Sequence, residues 1–311
     1  MYEKCKLCPN YCQVDRRVKL GLCGQSDKVR IAWSGLHRGE EPPLTGEKGS
    51  GMIFFTGCPL HCKYCQNHQI SGALGSNMGF NITNEELSKL MLSLQEQGAT
   101  TLNLVTGTHF IPSIIEALKI AKEKGFNLPV VYNSSGYESI EGLSLIDPYI
   151  DLYLMDMKTL DKDVAAKFCG RKKYTDYIIP VMDFITQTHP VTDLDKIKGT
   201  IVRHLVFPSS IKATLDVLSY YAKHYKDNCF LSLMVQFVPP LENPGFKKIS
   251  EEEYDFLLDS LDTLGIEEGF VQELGDEILW IPDFNKDVPF PASFADPNPY
   301  FLSLKKKYIN Q

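Results

Sequence analysis

Short apolar segments alternate with amphipathic segments along the chain from residue 50 onwards. The apolar segments are MIFFTG (52–57), TLNLVTG (101–107), LPVVYNSSG (128–136), IDLYLMDMK (150–158), TIVRHLVFP (200–208) and FLSLMVQFVP (230–239). Each is largely apolar throughout, which is typical of strands that are covered on both faces. The pattern therefore predicts six buried strands.

Helices with clear ends lie between these strands. Thr83 and Glu86 fit a capping box, and Gly98 stops the helix that they begin. Four apolar residues of that helix fall on one face: Leu87, Leu90, Met91 and Leu94. The segments 111–125 and 250–265 repeat the pattern, and the second of them also starts with a capping box.

Six alternations of strand and helix imply an α/β fold built on a parallel sheet with right-handed crossovers. Such a sheet is either doubly wound or curled into a barrel, and in barrels the chemistry collects at the C-terminal ends of the strands. The segments outside the alternation divide the chain into three predicted parts. These are a cysteine-rich module (1–35), the strand–helix domain (36–280) and a proline-rich extension (281–311) that wraps over the domain.

Composition is that of a soluble globular protein, with 43% hydrophobic and 23% charged residues among 311. No apolar run approaches the roughly 20 residues needed to span a membrane, and the N-terminus has no apolar targeting segment. We therefore expect a cytoplasmic protein without a membrane partner. The net charge of −7 argues against general nucleic-acid binding, although residues 1–30 are basic.

Nine cysteines are many for a cytosolic chain, and seven of them lie within the first 65 residues. In a reducing compartment such groups bind metal or carry out chemistry more often than they form disulfides. Cys169 and Cys229 stand alone in the sequence and are predicted to be buried as small apolar residues.

Three cysteines, Cys58, Cys62 and Cys65, directly follow the first predicted strand. Thiolates are the usual ligands of iron–sulfur clusters, and a cubane with only three of them keeps one iron open. An open metal position is what catalysis requires, and a cofactor could chelate that iron through an amino and a carboxylate group. The alternative is a zinc site completed by His61 or His68.

The spacing Cys58-x3-Cys62-x2-Cys65, with Tyr64 before the last cysteine, resembles the signature of radical S-adenosylmethionine (SAM) enzymes. The chain looks like the branch that includes pyruvate formate-lyase activating enzymes, and it especially resembles an uncharacterised group of activating-enzyme-like iron–sulfur proteins. The matching segments are CKLCPNYCQVDR, HRGEEPPLTGEKGSGMIFFTGCPLHCKYCQN, LNLVTGTHF, VVYNSSGYE, DLYLMDMK and VRHLVFP. The resemblance implies a partial (β/α)6 TIM-like barrel that binds a [4Fe–4S] cluster and SAM. SAM cleavage would give a 5′-deoxyadenosyl radical that abstracts hydrogen from a substrate.

The resemblance also implies the residues that bind the cofactor. Tyr64 would lie against the adenine. The other matching residues lie at strand ends: Asn133, Ser134, Asp156, Lys158 and Arg203. Asn133 and Ser134 would lie near the methionyl group, and Arg203 near the polar end of SAM. Any one of these residues could instead be a cap or a solvated strand tip.

One segment departs from the family pattern. Many of these enzymes carry Gly-Gly-Glu at the end of strand two, where the SAM amino group is received, whereas this chain has VTGTHF. Thr106 and Thr108 can still accept a hydrogen bond from an ammonium group, so SAM binding is retained. The missing Gly-Gly-Glu motif counts against the identification of the protein as an activating enzyme of a glycyl-radical enzyme.

The cysteine-rich module offers four more thiols at Cys5, Cys8, Cys12 and Cys23. Four are enough for a closed site, which leaves a second iron–sulfur cluster, a zinc ion or no metal as alternatives. A module this small has little core to order itself without a metal. Its basic residues could steer an acidic electron donor such as a flavodoxin or ferredoxin, or form an ordinary solvated surface.

Two functions are compatible with these residues. The first is a radical SAM enzyme that acts on a protein, peptide or small-molecule substrate, with activation of a glycyl-radical enzyme as one such role. The second is an iron–sulfur electron-transfer or redox-sensing protein without SAM chemistry. Asp156, Lys158 and Arg203 favour the enzyme, because an electron carrier needs none of them.

Overall fold

One open sheet organises the part of the chain that this computed structural model describes, namely residues 1–72, 78–238, 248–275 and 281–309. The strands follow the order β10-β1-β2-β4-β5-β6-β7-β8-β9, and β3 pairs with β1 outside that path. The strand bounds are β1 Val29–His37, β2 Ser50–Phe55, β3 Phe80–Ile82, β4 Leu102–Val105, β5 Val130–Ser134, β6 Leu152–Asp156, β7 Gly199–Leu205, β8 Phe230–Met234, β9 Gly269–Val271 and β10 Ala295–Pro297.

Ten α-helices are assigned within those residues. Their bounds are α1 Pro42–Thr45, α2 His68–Ser71, α3 Asn84–Gln97, α4 Ile111–Glu123, α5 Ile140–Ile146, α6 Lys162–Val164, α7 Thr175–Thr188, α8 Ile211–His224, α9 Glu251–Leu264 and α10 Pro299–Ile309. Both predicted capping boxes are present, at Thr83 before α3 and at Ser250 before α9. None of these helices is long and apolar enough to cross a membrane.

The parallel part of the sheet confirms the predicted α/β fold. The six predicted strands are β2, β4, β5, β6, β7 and β8, and neighbours in this series are parallel. Pro239, the last residue of the sixth predicted strand, lies outside the described residues. The described sheet does not close, which agrees with a partial barrel.

Antiparallel strands at one edge were not predicted. β1 pairs with β2 and runs across the predicted boundary at residue 35, and β10 brings the proline-rich extension onto β1. Trp33 of β1 packs edge-on against Phe54 and Phe290, so the extension shares the core of the sheet. The division into three domains stays a prediction, and its second boundary, residue 280, lies outside the described residues.

The inner face of the sheet changes from apolar to polar along β6. A small cluster of buried residues fills the inside: Leu44, Val131, Leu152, Leu154, Ile197 and Ile201. Because side chains alternate along a strand, Asp156 shares a face with Leu152 and Leu154. Asp156 lies opposite Arg203 on β7. The apolar interior therefore ends in charged groups at the C-terminal ends of the strands.

Candidate active site

The three-cysteine loop leaves β2 at its C-terminal end and leads into α2. Gly57 turns the chain just before Cys58, with a φ of 87°. A side chain there would meet the carbonyl oxygen of Cys23 at 2.7 Å and Cγ of Gln25 at 2.6 Å. Glycine is therefore needed both for the turn and for the close approach of the N-terminal module.

Cys58, Cys62 and Cys65 lie close enough to influence one another electrostatically. Burial raises the pKa of the Cys58 thiol to about 12 and that of Cys65 to about 11, and neighbouring thiols contribute to both increases. These raised pKa values favour the protonated thiols. A bound cation reverses that preference, because the thiolate is the form that binds metal. The donor set of three soft sulfurs fits an iron–sulfur cluster with one open iron.

Histidine does not complete this set around a single ion. Among the described residues, no three His, Cys, Asp or Glu side chains are placed to hold one metal ion. Nε2 of His61 and Nδ1 of His68 are buried without a hydrogen-bond partner.

Cys169 is a fourth thiol at this site, which the sequence analysis missed. It ends a π-helix, Ala165–Cys169, and is fully buried. Its thiol lies near that of Cys62, and this neighbour, together with burial, raises the pKa of Cys62. The backbone N–H of Lys63 donates to the carbonyl of Phe168 at 2.9 Å, which ties the loop to the π-helix. Single π-turns are frequent at functional sites.

The ring of Tyr64 belongs to an aromatic cluster beside the loop. Its centroid lies 5.0 Å from that of Phe207, 5.5 Å from that of Phe237 and 6.3 Å from that of Phe168. Phe168 and Phe207 are stacked at 4.4 Å. Contact between Tyr64 and adenine stays a prediction, and the cluster provides an apolar wall for it.

Asp156 joins two cations at adjacent strand ends. Nζ of Lys158 lies 2.6 Å from Oδ2 of Asp156, and Nε of Arg203 lies 3.1 Å from its Oδ1. Arg203 also pairs with Glu40 at 3.2 Å through Nη1. These side chains are 10–18% exposed. The predicted residues Asp156, Lys158 and Arg203 are thus gathered in one nearly buried network, to which the structure adds Glu40.

The two cations keep Asp156 ionised. Burial raises the pKa of its carboxyl, but Lys158 and Arg203 together lower it by more, so that it lies below its ordinary value. The pKa of Glu40 is raised, because burial outweighs the charge of Arg203. Lys158 links this network to the loop, since its Nζ lies 5.8 Å from the centroid of the Tyr64 ring.

The hydroxyl groups predicted near SAM surround a buried carboxyl. Thr108 donates from Oγ1 to Oε1 of Glu138 at 2.6 Å, and Ser134 donates to the same oxygen. Asn133 lies on β5 opposite Val105, and its carbonyl accepts a hydrogen bond from the Thr106 N–H at 2.9 Å. The roles of these residues in SAM binding stay predictions.

Glu138 places a carboxyl at the end of β4, where the sequence lacks the Gly-Gly-Glu motif. It comes instead from the loop after β5 and is fully buried. Burial raises its pKa to about 7, although the hydrogen bonds from Ser134 and Thr108 lower it. The sequence signal was an acidic residue just after a predicted strand, and only the tertiary contact with Thr108 makes it informative.

The module with the four N-terminal cysteines contacts the three-cysteine loop. Cys5, Cys8 and Cys23 are buried and Cys12 is half-buried. Nδ2 of Asn10 donates to the carbonyl of Pro59 at 2.8 Å. The residues on both sides of Cys58 are therefore contacted by this module.

Comparison with known proteins agrees with the fold and with the loop. The Radical SAM superfamily matches residues 52–208. An uncharacterised protein of Methanocaldococcus jannaschii is 27% identical over 254 residues, which are 80% of this chain and 70% of that protein. The pyruvate formate-lyase-activating enzyme of Clostridium pasteurianum is 28% identical over 127 residues, which are 39% of this chain and 51% of that enzyme.

Solved structures share the fold. Native anSMEcpe with bound AdoMet matches 69% of this chain and 61% of its own length, with a TM-score of 0.51 and 12% identity. The same protein with bound AdoMet and the Kp18Cys peptide gives the same TM-score at 13% identity, over 69% of this chain and 60% of that one. The chain thus spans about three fifths of the length of these structures.

Proposed function

Because the chain belongs to the Radical SAM superfamily, we propose that Cys58, Cys62 and Cys65 hold a [4Fe–4S] cluster with one open iron and that the protein cleaves SAM there. Once reduced by an electron donor, such a cluster would supply the electron that splits SAM into methionine and a 5′-deoxyadenosyl radical, and that radical would take a hydrogen atom from a substrate. The observation that carries the proposal is the three-thiol loop beside the Asp156 network. An electron carrier would not need that network.

The residues around the loop would orient SAM and exclude water. Asp156 stays ionised between Lys158 and Arg203, so the charges are fixed before a ligand arrives. A network held in this way loses little entropy on binding. The aromatic rings around Tyr64 give the same mouth an apolar side.

We propose further that the substrate is a protein or peptide, with a glycyl-radical enzyme as the leading case. Support comes from the similarity to the Clostridium activating enzyme and from the fold shared with a protein that binds AdoMet and a peptide. The VTGTHF segment does not oppose this, because Glu138 provides a carboxyl beside Thr108. A small-molecule substrate is the alternative.

An acidic electron donor such as flavodoxin or ferredoxin fits the exposed face of the N-terminal module. Lys4, Lys6 and Lys19 are exposed there. Val18 and Leu20, which are 79% and 62% exposed, lie beside Lys19. Exposed apolar groups among basic residues suit a transient complex with an acidic partner.

The test uses anaerobically reconstituted full-length protein. A reduced-cluster EPR signal should change when SAM is added, and 5′-deoxyadenosine should form. Cys62→Ala should abolish both, whereas Cys229→Ala, which changes a buried cysteine outside the site, should preserve both. A spectrum that SAM leaves unchanged would favour an electron-transfer or redox-sensing protein instead. Substrate class is then tested by following deuterium from a labelled glycyl-radical enzyme into 5′-deoxyadenosine.

A further inference from the structure

Arg16 is a fully buried arginine in the N-terminal module. Its guanidinium donates hydrogen bonds to the carbonyl oxygens of Gln25, Ser26 and His109. The rings of Tyr2 and Phe110 flank it, with centroids 5.0 Å and 5.6 Å from its central carbon. Neutral groups of the protein therefore take the place of water around this guanidinium.

Carboxylates do not balance this charge within the described residues. Asp27 donates its backbone N–H to the carbonyl of Arg16 but forms no ion pair with the guanidinium there. A buried charge without a partner is strongly destabilising. The remaining contact of the guanidinium is Cys5, whose Sγ lies 3.9 Å from Nη1. A thiolate at this position would supply the missing negative charge.

Cys5, Cys8 and Cys23 lie within electrostatic reach of one another, and Cys12 lies within reach of Cys23. Burial raises the pKa of Cys8 to about 12, and the thiols of Cys23 and Cys5 raise it further. Burial also raises the pKa of Cys23, which the charge of Arg16 lowers and the thiols of Cys5 and Cys12 raise. The chain returns on itself to make this arrangement, since Gln13 N–H donates to the carbonyl of Cys5 at 3.0 Å.

We propose that Cys5, Cys8, Cys12 and Cys23 bind one metal centre as thiolates and that the buried guanidinium of Arg16 balances its negative charge. Four thiolates around one Zn²⁺ ion, or around a [4Fe–4S] cluster, leave a net negative charge in either case. A zinc ion would also need the thiols to move together, because no three donors among the described residues are placed to hold a single ion, whereas a cluster spaces its four ligands more widely. The N–H of Arg16 donates to the sulfur of Cys5, which is a charge-assisted contact. Arg16 is thus a positioning residue for the centre.

This centre also fixes the active-site loop. The hydrogen bond of Arg16 to His109 reaches the end of β4, and Ser139 donates to the carbonyl of Lys6 at 2.9 Å after β5. Asn10 and Cys23 contact the residues on either side of Cys58. A metal that orders the module would therefore order the loop of Cys58 as well.

The first test is metal analysis of the full chain in which Cys58, Cys62 and Cys65 are replaced by alanine. About four irons with inorganic sulfide, or about one zinc, would support the centre and identify its class. Replacing the four N-terminal cysteines by serine as well should remove that metal. Equal metal in the two variants, or none in the first, would overturn the proposal.

The second test addresses Arg16 in the same background. Arg16→Met should release its metal to a chelator about tenfold faster, and Arg16→Lys should fall between Arg16→Met and the unchanged arginine because it keeps the charge. Arg17→Met is the matched control, since Arg17 is 53% exposed and pairs with Glu3. Release at the unchanged rate in Arg16→Met would overturn the role of the charge. If Arg16→Met does not fold, Arg16→Lys decides the question. If the charge of Arg16 has no role, lysine should not slow the release of the metal.

Discussion

The thiols of Cys62 and Cys169 lie close enough to shift each other's pKa in opposite directions, although Cys62 lies in the loop after β2 and Cys169 ends the π-helix. A thiolate of Cys62 that binds iron can only accept a hydrogen bond, so Cys169 is the thiol that would donate one to it. Hydrogen bonds to the sulfurs of an iron–sulfur cluster are among the factors that set its reduction potential. Stabilising the more negative, reduced cluster makes it easier to reduce.

We therefore expect Cys169→Ala to lower the reduction potential of the cluster. A tenfold change in the reduction equilibrium corresponds to about 59 mV for one electron. Cys169→Ser keeps a donor and should lie between Cys169→Ala and the natural protein. Redox titration monitored by EPR measures the potential, and Cys229→Ala controls for the loss of a buried cysteine. Equal potentials in all four proteins would show that the contact does not affect the cluster.

A second prediction concerns Lys158. Lys158→Met leaves the Asp156 carboxylate with only Arg203 and removes a cation from the mouth. SAM affinity should fall by roughly 1.5–3 kcal/mol, the usual value of a hydrogen bond to a charged group. Isothermal titration measures the affinity, and Lys162→Met is the control, since Lys162 is 64% exposed and pairs with Asp176. Normal SAM affinity in folded Lys158→Met protein would show that Lys158 does not contribute to SAM binding.

A third prediction uses two glycines with similar positive φ angles. Gly57 and Gly125 have φ values of 87° and 92°, but a Cβ would meet nothing within 4 Å at Gly125, whereas at Gly57 it would collide with Cys23. Both Gly→Ala variants should lose about 1–2 kcal/mol of folding stability, because alanine is strained in the left-handed conformation. In urea unfolding, Gly57→Ala should lose more stability than Gly125→Ala. Its backbone hydrogen exchange should also increase at the contact with Cys23. Equal losses would mean that the collision is relieved without effect.

Local signals explain which elements were predictable. The strands and capping boxes were found because their patterns depend on neighbours in sequence, and Asp156 and Arg203 were matched from strand-end motifs. Cys169 was not recognised, because its nearness to Cys62 depends on the π-helix and on the Lys63–Phe168 hydrogen bond. β1 and β10 were missed because their pairing joins distant parts of the chain.

The pairing and burial of charged residues also could not be predicted from the sequence. Arg16 counts as one of several basic residues in residues 1–30, yet the fold buries it, whereas the neighbouring Arg17 is exposed. Glu40 is likewise an acidic residue in a loop until its pairing with Arg203 places it inside the barrel. Burial is a property of the assembled sheet, so a motif cannot report it.

The last prediction concerns the buried carboxyl of Glu138. Its pKa is about 7 in the folded protein, against an ordinary value of 4.5. Between these values the folded state retains a proton that the unfolded state releases. The stabilisation from that proton is therefore complete below pH 4.5 and is lost as the pH rises through about 7, a change of roughly 3 kcal/mol.

Glu138→Gln cannot ionise, so it should remove this pH dependence while keeping acceptors and donors for Thr108 and Ser134. Relative to the natural protein, its free energy of unfolding should rise between pH 4.5 and pH 8 by up to about 3 kcal/mol. Urea unfolding at the two pH values measures the difference. A difference that is the same at both pH values would mean that Glu138 is ionised throughout. In that case the hydroxyl groups around it outweigh the cost of its burial.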